Sequence, residues 1–142
     1  MAKDKLFLDT DVVLDHLADR QPFAEHAHRL LALAELQRVE VYVSALTFSH
    51  LHYLLRKGRT RTETVALLAK LKRIVRIASV GEVEIQAALG SDFTDFEDAI
   101  QHFAALSAGG VIAIITRNGD DYAASQLPVM SPEEYLASRP EE

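Results

Sequence analysis

Two short acidic motifs, Leu6-Phe7-Leu8-Asp9-Thr10-Asp11 and Asp95-Phe96-Glu97-Asp98-Ala99, hold the residues best suited to chemistry. In the first, an apolar run stops on a carboxylate, the pattern of a buried strand delivering Asp9 to a sheet edge. The second sets Asp95 and Asp98 one helical turn apart, because residues three apart in a helix share a face. Brought together, the two motifs would make an oxygen-rich pocket suited to Mg²⁺ or Mn²⁺. Each carboxylate also has a local alternative. Aspartate is a favoured helix cap, and acids in a first turn gain ~0.3–1 kcal/mol from the helix dipole. On that basis Asp11 is expected to be a cap, and Glu97 the capping-box partner of Thr94. Asp9 and Asp98 are left for the chemistry.

The elements that position these residues follow from periodicity. Lys5–Leu8 and Val111–Ile115 read as buried strands of a parallel sheet, Val39–Val43 as a third, and Ile74–Ile77 as a weaker fourth. Between them the spacing turns helical. Residues 22–37 place Phe23, Ala27, Leu30, Leu31 and Ala34 on one face, with Pro22 suited to a first turn. Ser44 can cap a helix through Leu55 that stops near Gly58. Capping-box spacing recurs at Thr60–Glu63, Thr94–Glu97 and Ser131–Glu134. Strands alternating with helices predict an α/β layered domain with a mostly parallel central sheet, the whole of 1–142 forming one domain. Such sheets carry function beyond the carboxyl ends of their strands, which singles out Asp9, Ser44 and Thr116.

Composition narrows the partners. A net charge of -6 argues against a protein that coats nucleic acid indiscriminately. With no cysteine, disulfides and zinc–thiolate sites are excluded. No apolar run approaches the ~20 residues of a spanning helix, and the start is too short for a signal peptide, so a cytoplasmic protein without membrane contact is expected. Basic residues cluster in Arg56-Lys57-Gly58-Arg59-Thr60-Arg61 and at Lys70, Lys72, Arg73 and Arg76. They could meet RNA phosphates, though cations at a helix C-terminus are expected from the dipole alone. His26, His28 and His102 are expected on solvated or half-buried helix faces.

The motifs taken in order, Leu6 to Asp11, Val43-Ser44-Ala45-Leu46-Thr47, Asp95 to Ala99 and Ile115-Thr116-Arg117-Asn118, resemble the PIN domain, most closely the single-domain VapC-type toxins. The resemblance spans the chain, with Val129 to Leu136 as a last strand and terminal helix. It implies a metal-dependent endoribonuclease that holds Mg²⁺ or Mn²⁺ on three or four acids and hydrolyses RNA phosphodiester bonds. Asp9 and Asp98 match two of those acids, Asp95 lies one turn before the second, and Asp121 falls in the last acidic region. Thr116 and Asn118 would orient a water or a phosphate. A small antitoxin protein and a homodimer are implied as partners, with apolar surface on the helices at 22–37 and 60–71 available to them.

The chain departs from that pattern at two positions. His50 stands where the family's second acid is expected, and Asn118 where many members carry an acid. Imidazole is a poor Mg²⁺ ligand. A degenerate PIN module that binds RNA or a protein without cutting is therefore the main alternative. A haloacid-dehalogenase-type phosphatase is a third reading, from Asp9-Thr10-Asp11 and Gly119-Asp120-Asp121, but no catalytic lysine is evident between those motifs.

Overall fold

A computed structural model describes residues 2–140. Five strands, β1 (Asp4–Leu8), β2 (Val39–Ser44), β3 (Arg76–Ala78), β4 (Val111–Ile115) and β5 (Val129–Met130), form one sheet in the order β3-β2-β1-β4-β5. Every pairing is parallel. The first strand is therefore central, and its alternating side chains serve two cores. Leu6 and Leu8 join one buried cluster while Phe7 joins the other.

Helices α1 (Thr10–Leu17), α2 (Ala24–Glu35), α3 (Ala45–Leu55) and α4 (Arg61–Ile74) supply the first cluster. Helix α6 (Phe96–Ala108) covers the opposite face, with α5 (Glu82–Leu89) packed beside it. Helix α7 (Pro132–Ser138) closes the chain through Tyr135, whose hydroxyl donates to Asp4 Oδ2 at 2.7 Å. The result is the three-layer α/β architecture, with a sheet more uniformly parallel than the sequence required.

Local signals mark most boundaries. Ser44 caps α3, and full capping boxes stand at Thr60–Glu63 and Ser131–Glu134. Gly58 takes a positive φ of 77° in the turn after α3, where a side chain would be strained. In the same turn Arg59 donates to the Leu55 carbonyl at the end of α3, in keeping with the dipole reading of that basic cluster. Three expectations need correction. Helix α2 begins at Ala24, so Pro22 lies in the preceding turn. The strand expected at Ile74–Ile77 is β3 and starts at Arg76, because Ile74 still belongs to α4. The third concerns α6, whose cap is Asp95 rather than Thr94. Asp95 Oδ1 accepts from the Asp98 amide at 3.0 Å, and Glu97 is left exposed in the first turn.

Candidate active site

The carboxyl edge of the sheet gathers the residues after β1 and β4 against the start of α6. Asp9 follows β1 and caps α1, accepting from the Thr10 amide at 2.8 Å through Oδ1. Its other oxygen accepts from the Thr116 hydroxyl, just past β4, at 2.9 Å. Only 9% of Asp9 is exposed. Burial raises its pKa, while the bonds from Thr116 and Thr10, and then the nearby polar groups of Tyr122 and Gln101, pull it back down.

Asp98 faces the same space from α6 and is half-buried. Desolvation first, then repulsion from Asp9, Asp95, Asp121 and Glu97, pushes its pKa up to about 7. All the charged groups named there are carboxylates. The geometry thus brings Asp9, Asp95, Asp98 and Asp121 into one electrostatic neighbourhood, with Asp95 and Asp121 on its exposed rim. Asp121 belongs to a short 3₁₀ turn, Gly119–Tyr122, that folds back from β4.

Asp11 plays a different part from the cap expected of it, because Asp9 already occupies that position. From the first turn of α1, Asp11 Oδ2 accepts from Asn118 Nδ2 at 2.8 Å and from the Arg117 amide at 3.3 Å. Burial and then Asp9 raise its pKa to about 6. Asn118 is thereby committed to Asp11, and Thr116 to Asp9 and to the Asn118 amide at 3.0 Å. Both side chains brace the acids rather than reaching freely into the pocket.

Ser44 is buried and occupied as the cap of α3. His50, on the same helix, sits on the rim with Nε2 3.5 Å from Glu97 Oε1. His26 and His28 are half-buried, whereas His102 is fully enclosed. Its Nε2 accepts from the Gln126 amide at 3.0 Å, and burial lowers its pKa, so the ring stays neutral. Position 102 lies one turn beyond Asp98 on the face of α6 that packs on the sheet, hence its enclosure.

Several supporting residues escaped the sequence. Gln101, one turn from Asp98 and 3% exposed, donates to the hydroxyls of Thr47 at 2.8 Å and Thr10 at 3.2 Å. Those hydroxyls lie 2.8 Å apart, so one buried carboxamide ties α1, α3 and α6 together beneath Asp9. The Tyr122 hydroxyl is buried without a hydrogen bond of good geometry. Burial and the nearby Asp9 and Asp98 push its pKa far up, so it stays protonated. The helical register of Gln101 with Asp98 was the one available signal.

A hard divalent cation fits this donor set in a particular way. Two carboxylates, Asp9 and Asp98, face one space, and burial together with the charge of Asp9 disfavours the ionised form of Asp98, which a bound cation would relieve. Among the described residues no three His, Asp or Glu side chains form a ready-made metal cage. The match is therefore to an ion held by two carboxylates, with water and substrate oxygens completing its shell.

Parallel α/β topology with an acid set at the carboxyl edge defines a class of fold that comparison makes definite. The PIN domain model matches residues 5–120, and the chain belongs to that family. Its nucleases generally use a divalent metal. Among solved structures, VapC20 of Mycobacterium tuberculosis, described as a sarcin–ricin loop cleaving toxin, is 24% identical with a TM-score of 0.65. The match covers 84% of this chain and 94% of that one. A toxin–antitoxin complex from Klebsiella pneumoniae gives 21% identity and a TM-score of 0.63, covering 89% and 97% of the two chains. DNA-bound VapBC from Salmonella typhimurium gives 16% and 0.67, covering 91% and 98%. No curated protein sequence matches significantly.

Proposed function

We propose that this protein is a metal-dependent endoribonuclease of the VapC toxin type. The observation that carries the reading is the pair Asp9 and Asp98, from the two acidic motifs, with Asp9 first among the carboxylates that raise the Asp98 pKa. Asp9 and Asp98 would hold Mg²⁺ or Mn²⁺, with Asp95 and Asp121 adding negative potential at the rim. The ion, once bound, supplies an activated water and stabilises charge on the phosphate oxygens. The chain's own residues do the positioning. Thr116 and the Thr10 amide fix the two oxygens of Asp9, and Gln101 locks the helices that carry Asp9 and Asp98. Asn118 and the Arg117 amide keep Asp11 turned toward the β4 loop.

RNA is the proposed substrate, a cytoplasmic location follows from it, and a homodimer with a small antitoxin as inhibitor is the proposed assembly. Among the described residues no helix is long and apolar enough to cross a membrane. Membership of the PIN family displaces the phosphatase reading, and Asp11 is held by Asn118 and Arg117 rather than free as an acid. The non-cutting alternative draws on His50, which contributes an imidazole and a contact to Glu97 in place of a carboxylate.

One substitution separates the two. Asp98→Asn keeps size and shape but removes a ligand charge. Changing a residue that merely orients a metal ligand costs 10–100-fold, so cleavage of single-stranded RNA in Mn²⁺ should fall by at least about 100-fold. Gel-resolved cleavage equal in the two proteins, or none in either, would rule the catalytic reading out.

A further inference from the structure

A second concavity lies on the same sheet edge as the acids, lined by Phe23, His26, Arg117, Ser131, Pro132 and Glu133, with a volume of about 390 Å³. Strand order locates it. Asp9 follows β1, Arg117 follows β4 and Ser131 follows β5, and these strands are consecutive neighbours. Two strand spacings put the cavity roughly 10 Å from Asp9, about the reach of one nucleotide.

Its chief side chain is not explained by folding. Phe23 occupies the cap position of α2, where it makes no capping bond, and 41% of it is exposed. It belongs to none of the buried clusters. Instead the Arg117 guanidinium lies over its ring, Cζ 3.8 Å from the centroid. Arg117 is itself fixed by Asp15, through Nε at 2.6 Å and Nη2 at 3.2 Å. The planar pair is thus pre-set before anything binds. His26 sits one turn along α2 from Phe23, with Nδ1 shut off from solvent, so it meets an occupant through its ring face or Nε2. Glu133 adds an exposed acceptor at the rim.

Resting on the ribonuclease reading, we propose that this cavity is a nucleobase subsite. It takes the base of an unpaired nucleotide adjoining the phosphate at Asp9 and Asp98, stacked against Phe23 and Arg117. Aromatic and guanidinium planes accept any base face. Glu133 favours a base edge with an exocyclic amino group, since a carboxylate only accepts.

The full chain carrying Asp98→Asn serves as a non-cutting background. Binding of a fluorescent single-stranded octaribonucleotide, and of versions with one abasic position each, is followed by anisotropy. Phe23→Ala should weaken binding of the intact strand about ten-fold. One abasic position should cost a similar factor in the background and nothing further with Phe23→Ala. Phe23→Leu keeps apolar bulk without a ring face and should behave like Phe23→Ala, which covers the case where the smaller residue folds poorly.

If both variants bind the intact strand as tightly as the background, the subsite is wrong while the nuclease reading stands. The subsite is equally wrong if the variants lose only a protein partner and keep RNA. If the background binds no RNA and the unmutated chain cuts none, the nuclease reading falls and the subsite with it.

Discussion

Asp15 and Asp98 are carboxylates in the same region of the fold, and they are treated oppositely. Asp15, on α1, is 1% exposed and held between two guanidinium groups. Arg20 approaches to 2.8 Å, and Arg117 makes the two bonds described above. Asp98 is more open to solvent, yet its charged neighbours are carboxylates and its pKa is lifted to about 7. A structural acid is buried with its counter-charge built in. Asp9 and Asp98 are assembled differently: Arg117 acts on Asp9 only through its charge, bonding elsewhere, and the charged groups that shift Asp98 are carboxylates. Arg117 marks the border, since its side chain serves Asp15 while its amide serves Asp11.

The contrast can be tested from its strongest side downwards. Asp15→Ala strands Arg117 and Arg20 without their partner. Breaking a buried pair costs 3–5 kcal/mol, and the openness of Arg20 places this one near the lower end, about 3 kcal/mol. Urea denaturation should show that loss with an unchanged m-value. A loss below about 1 kcal/mol would mean that Asp15 is not the structural counterpart drawn here.

Next comes Thr116→Val, which keeps shape but removes the donor to Asp9 Oδ2. Hydrogen bonds to charged groups contribute about 1.5–3 kcal/mol, less what water regains at a pocket wall. Stability should fall by roughly 1 kcal/mol, and the Mn²⁺ affinity of the site, read by calorimetry, about ten-fold. Unchanged metal affinity would show that Thr116 does not set the orientation of Asp9.

The smallest effect concerns pH. Folded Asp98 binds a proton up to about pH 7, whereas its ordinary value is 3.8. Between those values the folded state carries the extra proton, so stability declines as pH rises through the window. Solvent around the half-buried side chain tempers the size of the effect. Metal-free Asp98→Asn should therefore gain on the unmutated chain between pH 4 and pH 8, by a few degrees in Tm. A Tm difference that does not vary with pH would remove the case for a raised Asp98 pKa.

Much of the fold was legible because its signals are local. The apolar run before Asp9, the caps at Ser44, Thr60 and Ser131, and the alternating periods reflect steric and hydrogen-bonding rules that act within a few residues. Less visible was α5, which has no side-chain cap, and the choice between Thr94 and Asp95 turned on one side-chain geometry. Asp9 and Asp98 also stood out early, each being a carboxylate at an element boundary.

What the sequence determined by itself is thus the alternation of strands and helices and the placing of Asp9 and Asp98 at element boundaries. Tertiary structure alone decided which groups share their space. Asp9 meets Thr116 across 107 residues, Gln101 meets Thr10 across 91, and Arg117 meets Asp15 across 102. Local propensity carries no information at such separations. Only the parallel crossovers that place β1 between β2 and β4 bring these side chains within bonding distance, leaving Asp15 paired with two guanidinium groups and Asp98 among carboxylates.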